Sequence, residues 1–154
     1  MKIDHIKFVP KLLGYLGLLP IVISTALIFF DHHHSMVWRN LLVSYAALIL
    51  SFLGALHWAF SMEMKDLSVK KRSAMMVWSV MPSLIAWIAL LIPQIYGMLV
   101  LSGCFVLAFW MDANLAKSAH LPTWYIPLRF RLTFVVVFCL MATAYLFKTV
   151  LINV

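Results

Sequence analysis

The chain alternates between long apolar runs and short polar breaks. The apolar runs lie at 12–30, 37–60, 74–92, 95–111 and 128–152. Each falls within the roughly 17–25 residues that carry an α-helix across a hydrocarbon core. The breaks are the Asp31 to Ser35 cluster, the charged segment Glu63 to Arg72, the Pro93-Gln94 turn and the stretch 112–127. This pattern predicts an all-α bundle of five transmembrane helices forming one polytopic domain over 1–154. Gly14, Gly17 and Pro20 interrupt span one, and Pro82 lies inside span three. A proline deletes one backbone donor and frees a carbonyl. Lipid cannot satisfy that carbonyl, so both prolines predict protein-facing positions. The Pro93 turn is short enough to make spans three and four antiparallel neighbours.

Composition agrees with that reading. Of 154 residues, 65% are hydrophobic and 11% charged, against about 45–50% and about 25% in soluble domains. Five spans leave only short loops, which excludes a soluble catalytic domain. The formal net charge of +7 would suggest nucleic acid in a soluble protein, but here the basic residues are sided. Lys2, Lys7, Lys11, Lys65, Lys70, Lys71, Arg72, Lys117, Arg129 and Arg131 fall on one side of the expected topology; Arg39 and Lys148 fall on the other. Basic loops stay in the cytoplasm, so the N-terminus is expected inside and the C-terminus outside, with no nucleic-acid partner. The first apolar run is span-length and no A-x-A site follows it, so it reads as a retained span rather than a cleaved signal. Trp38, Trp58, Trp110, Trp124 and Tyr125 sit near span ends, where aromatic belts form. Cys104 and Cys139 fall near mid-span and read as small apolar residues rather than a disulfide or metal pair.

Polar residues within spans are costly and therefore candidates for function. His57 lies about one turn from the end of span two, on a stripe with Ser44, Ser51 and Gly54; the competing reading has it bonding a carbonyl across a packed helix seam. Asp112 closes span four, and Arg129 opens span five at the same depth, one turn from Thr133. An Asp–Arg pair there would leave neither charge alone. Ser79 and Ser83 share a face of span three, where a hydroxyl beside Pro82 can also simply satisfy opened backbone. With the aromatic faces of Trp124 and Tyr125, these residues gather at one leaflet. His57, Asp112, Arg129, Trp124, Tyr125 and Ser83 thus form the candidate ligand-binding set, suited to a lipid or quinone headgroup. No catalytic residue, cofactor or metal is assigned. The His32 to His34 run points its side chains in different directions, His57 is the sole histidine within a span and so leaves haem without a second ligand, and no Walker A, H-E-x-x-H or G-x-S-x-G sequence occurs.

Several of these residues lie in segments with a family likeness. Gly17-Leu18-Leu19-Pro20, the stretch Tyr45 to Trp58 containing Ser51-Phe52-Leu53-Gly54-Ala55-Leu56-His57-Trp58, Met81-Pro82-Ser83-Leu84-Ile85-Ala86-Trp87, and Trp124-Tyr125 with Leu128-Arg129 and Leu132-Thr133 resemble small bacterial membrane proteins of domain of unknown function 3429. That family is similar to mitochondrial transmembrane protein 69. The resemblance covers nearly the whole chain. It departs at Ala55, where a second glycine is usual. It implies five spans and a bacterial inner-membrane location, and brings no reaction with it.

The sequence therefore favours a non-enzymatic module that binds a lipid or quinone headgroup, or a partner membrane complex, at the cytoplasmic leaflet. One alternative is a proton-linked or small-solute transporter working as a homo-oligomer. Another is a lipid-modifying enzyme with His57 as base and Asp112 as its orienter.

Overall fold

A computed structural model describes residues 3–31, 33–63, 68–118 and 121–152. Six helices follow one another: α1 (Ile3–Leu16), α2 (Leu19–Phe30), α3 (Ser35–Glu63), α4 (Val69–Leu91), α5 (Gln94–Ser118) and α6 (Tyr125–Ile152). Taken with α1, α2 gives one apolar segment Phe8–Phe30, and the described residues form five helices long and apolar enough to cross a membrane. Helix α3 is central. It packs against α2, α4, α5 and α6, while α1 lies along α6. The core is small and aliphatic: Leu42, Ala46, Ala47 and Leu50 of α3 meet Ile21, Ala86, Met98, Leu101 and Leu140.

Span one is broken at Gly17 and Leu18, as its glycines and proline predict. Gly17 N bonds Leu13 O and Leu18 N bonds Tyr15 O, after which Pro20 restarts a helix in whose first turn no donor is needed. The Tyr45 hydroxyl on α3 donates to Gly17 O at 3.0 Å, so a neighbouring helix supplies what the break removed. Pro82 is buried against α3. A Cβ built on Gly54 would stand 2.5 Å from Ser79 O and 3.2 Å from the Pro82 ring. The α3–α4 seam therefore closes at Gly54 because nothing larger than hydrogen projects there. The Pro93 turn is equally tight: a Cβ on Gly97 would come within 2.4 Å of Ala89 O, while the Gln94 side chain donates to Asn40 across to α3.

Three expectations need correction. Helix α5 runs on to Ser118, so Asp112 lies inside a helix rather than closing one. Tyr125 and Pro127 begin α6 rather than filling a long loop. Pro127 falls in the first turn, where its missing N–H costs no helix bond. The stripe from Ser44 to His57 does not hold together either. At 100° per residue Ser44 and His57 stand about 140° apart, and Ser44 is exposed while Gly54 and His57 are buried.

The connection between α2 and α3 is organised by Asp31. Its carboxylate accepts from His34 N at 3.2 Å, lies 3.0 Å from His34 Nδ1, and accepts from Trp38 Nε1 at 3.1 Å. The Trp38 bond, reinforced by His34, holds the Asp31 carboxyl below its ordinary value of 3.8. A carboxylate whose folded value is depressed stabilises the fold above its unfolded value, and loses that contribution as pH falls through the folded one. Thermal midpoints in detergent should therefore fall less steeply below about pH 4 in Asp31→Asn than in the wild type. Parallel acid slopes would show that Asp31 adds no ionised-state stability. At this same end Arg39 caps the Phe147 ring, 4.0 Å from its centroid, which joins α3 to α6. His32 lies outside the described residues.

Candidate functional site

Helices α3, α5 and α6 bring three sequence-distant polar residues together near the opposite end of the bundle. His57 comes from the last two turns of α3, Asp112 from the last two of α5 and Arg129 from the second of α6. Their exposures are 2%, 1% and 6%. Arg129 Nε donates to Asp112 Oδ2 at 2.5 Å. On the other side His57 Nε2 approaches Asp112 Oδ1 at 3.3 Å, an ion-pair distance whose angle falls short of a hydrogen bond. One carboxylate thus stands between a guanidinium and an imidazole. The close Asp112–Arg129 contact cancels the two formal charges locally, which is what makes so deep a burial tolerable.

Aromatic rings enclose the histidine. Phe60 and Trp78 each meet the His57 ring edge-on with centroids 6.5 Å apart, and Tyr125 continues the array from Phe60 at 6.1 Å. Trp124 stands edge-on to Tyr125 at 6.2 Å. Trp78 of α4, not among the candidates read from the sequence, is therefore a wall of the His57 site. What could have shown it is register: Trp78 precedes Ser79, the residue whose carbonyl abuts Gly54 three positions before His57.

Arg129, Tyr125 and Thr133 also face the opposite way, into a cleft of about 350 Å³. Its walls are α1 and α2 (Leu13, Gly14, Gly17, Ile21), α3 (Phe52, Leu53) and α6 (Leu128, Leu132), with Phe105 of α5 behind them. The cleft extends from Trp124 to Val136 on α6, about 18 Å along the axis at 1.5 Å per residue. Its lining is almost wholly apolar; Trp124, Tyr125 and Arg129 stand toward one end and Thr133 one turn further in. Thr133 is 7% exposed, and its hydroxyl has no hydrogen-bond partner among the described residues, whereas the Tyr125 hydroxyl lies beside the Asp112–Arg129 pair. The Gly17–Leu18 break lies on the cleft wall, the setting in which irregular backbone is accommodated at membrane depth.

Of the six candidates, His57, Asp112, Arg129 and Tyr125 are thus assembled around one carboxylate, with Trp124 beside them. Ser83 lies apart. It borders a shallow depression between α3 and α4 with Trp58, Ser79 and Val80. Arg131 points away from the cluster and reaches the Tyr15 hydroxyl at 3.5 Å. The described residues hold no group of three or more His, Cys, Asp or Glu placed to share a metal ion.

An all-helical protein with five membrane-length helices, a buried ion pair and an apolar cleft beside it belongs among multi-pass membrane proteins. More narrowly, residues 6–145 match the family described as Protein of unknown function (DUF3429), and the chain belongs to that family. It is 32% identical over 147 residues to Transmembrane protein 69 of Xenopus tropicalis, an alignment covering 92% of this chain and 56% of that protein. The chain thus spans just over half the length of this curated relative. No solved structure matches it.

Proposed function

We propose that this protein is a non-enzymatic membrane module that holds one amphiphile of the lipid or quinone class, with its headgroup against Arg129, Tyr125 and Thr133. The observation that carries this reading is the cleft, almost wholly apolar, with its few polar residues along a single helix face from Tyr125 through Arg129 to Thr133. Ligand sites of this kind are mostly apolar, with a few convergent polar groups that fix orientation. The headgroup would lie between Tyr125 and Thr133, and the tail along Ile21, Ile49 and Val136, deeper between the helices. The sidedness of the basic residues supports an inside N-terminus, which puts the headgroup end at the cytoplasmic leaflet, and the family resemblance implies a bacterial inner membrane. Asp112 and His57 take part from behind: Asp112 fixes the guanidinium, and His57 steadies Asp112.

The test is the ligand content of protein purified in mild detergent, read by mass spectrometry of an organic extract. Wild type should carry close to one amphiphile per chain. Gly14→Leu should lose most of it, because a Cβ at residue 14 already stands 3.0 Å from Leu132 Cδ1 and a larger side chain fills the cleft. Unchanged occupancy in correctly folded Gly14→Leu would overturn the reading.

A further inference from the structure

We infer that the headgroup this cleft selects is an uncharged hydrogen-bond acceptor on a flat ring, a quinone-type carbonyl, rather than a phosphate or carboxylate. The inference rests on the reading of the cleft as an amphiphile site and goes further by naming the headgroup chemistry.

Three observations carry it. Of the polar residues lining the cleft, Arg129 and, at the mouth, Trp124 can only donate, while the Tyr125 and Thr133 hydroxyls can donate or accept; no acid or amide lines it. An acceptor on the headgroup is the one group that all four can meet. Arg129 is also not a free cation, since Asp112 Oδ2 holds its Nε at 2.5 Å. An anion would enter a site whose positive charge is already matched, with the Asp112 carboxylate directly behind the guanidinium. It would lose its hydration without gaining a counter-charge, and burying an unmatched charge is far costlier than burying a hydrogen-bonded carbonyl. Finally, Thr133, a residue 7% exposed on the cleft wall, holds a buried hydroxyl without a partner among the described residues one turn deeper than Arg129. A carbonyl bound there would satisfy it, whereas a charged group would have to sit still further from water. Trp124, Tyr125 and Phe52 supply flat apolar faces for a ring.

The many lysines and arginines on this side of the expected topology would attract anionic lipids, but to the surface of the bundle. The basic side chain lining the cleft is the already paired Arg129.

The experiment compares three probes with one tail and different heads: decylbenzoquinone, decyl phosphate and decanol. Each is titrated against delipidated full-length protein in detergent, with binding read by native mass spectrometry and by thermal shift. Decylbenzoquinone should bind tightest and saturate at one per chain. Thr133→Val should weaken it by about 5- to 10-fold, the effect of one hydrogen bond, without lowering the stability of the ligand-free protein, because the Thr133 hydroxyl has no partner among the described residues to lose. Gly14→Leu should abolish binding of all three probes. Tighter binding of decyl phosphate or decanol, still lost in Gly14→Leu, would overturn the headgroup assignment and leave the amphiphile site standing. Equal binding of the quinone by wild type and Thr133→Val would also overturn the assignment. Binding of every probe that ignores Gly14→Leu, or none at all, would overturn the site itself.

Discussion

Asp112→Ala is expected to be the most damaging single substitution near the site, lowering stability by about 3–5 kcal/mol, the usual cost of leaving one member of a buried pair behind. The change removes the carboxylate that meets Arg129 Nε at 2.5 Å and His57 Nε2 at 3.3 Å, so a guanidinium 6% exposed is left without a counter-charge. Arg129→Ala should be similarly severe, because it strands the carboxylate. The double variant Asp112→Leu with Arg129→Met should recover most of the loss, since neither charge then remains. Unfolding of the four proteins in mixed detergent with increasing sodium dodecyl sulfate measures this directly. If the double variant proves as unstable as the sum of the singles, the residues are not acting as a pair. It should also hold no ligand despite its restored fold, which separates stability from binding.

The second large effect is expected where backbones touch. At Gly54 an added methyl would sit 2.5 Å from Ser79 O, and at Gly97 2.4 Å from Ala89 O. In both cases the obstacle is a carbonyl of the next helix, which cannot rotate aside as a side-chain end can. Gly54→Ala and Gly97→Ala should each cost about 1–3 kcal/mol through overpacking, despite alanine's better helix propensity. Gly103 makes the contrast, because its added Cβ meets nothing within 4 Å. There the propensity gain has no steric opponent, and Gly103→Ala should be neutral or stabilising by up to about 1 kcal/mol. Thermal midpoints of the three variants in one detergent decide the matter, and a destabilised Gly103→Ala would contradict the packing described here.

The five spans were legible because hydropathy reports the length of a membrane helix almost directly. So were Asp112 and Arg129, since isolated charges at one depth on successive helices have few alternatives to each other. His57 was legible as costly but not as placed. Its competing role across a helix seam left it ambiguous, and the ring faces the Asp112 carboxylate on one side and the Leu53 carbonyl of its own helix on the other. The cleft was not legible at all. Gly14, Gly17 and Pro20 signalled a broken helix, but whether a break faces packed protein or open space depends on where α6 lies, and no local pattern encodes that. The ends of α5 and α6 were misjudged because polar residues such as Asp112 and Lys117 resemble a loop by composition, although a helix continues through them once tertiary partners are available. Ser83 followed a sound rule about hydroxyls near proline, and its helix turns it toward a different groove.

The Asp112–Arg129 contact also bears on how the chain is made. Each of the two helices carries a charge that opposes its own transfer from the insertion machinery into lipid, and a charged residue near mid-helix costs about 2.5–3.5 kcal/mol on insertion scales, less toward the ends. The opposing terms vanish only when both helices are present, yet the arginine is synthesised seventeen residues after the aspartate. Helix α6 must therefore emerge before α5 is fully at home in the bilayer. Membrane integration and tertiary folding are then a single event for this pair, and a nascent chain cut between them carries an exposed carboxylate that membrane quality control can recognise.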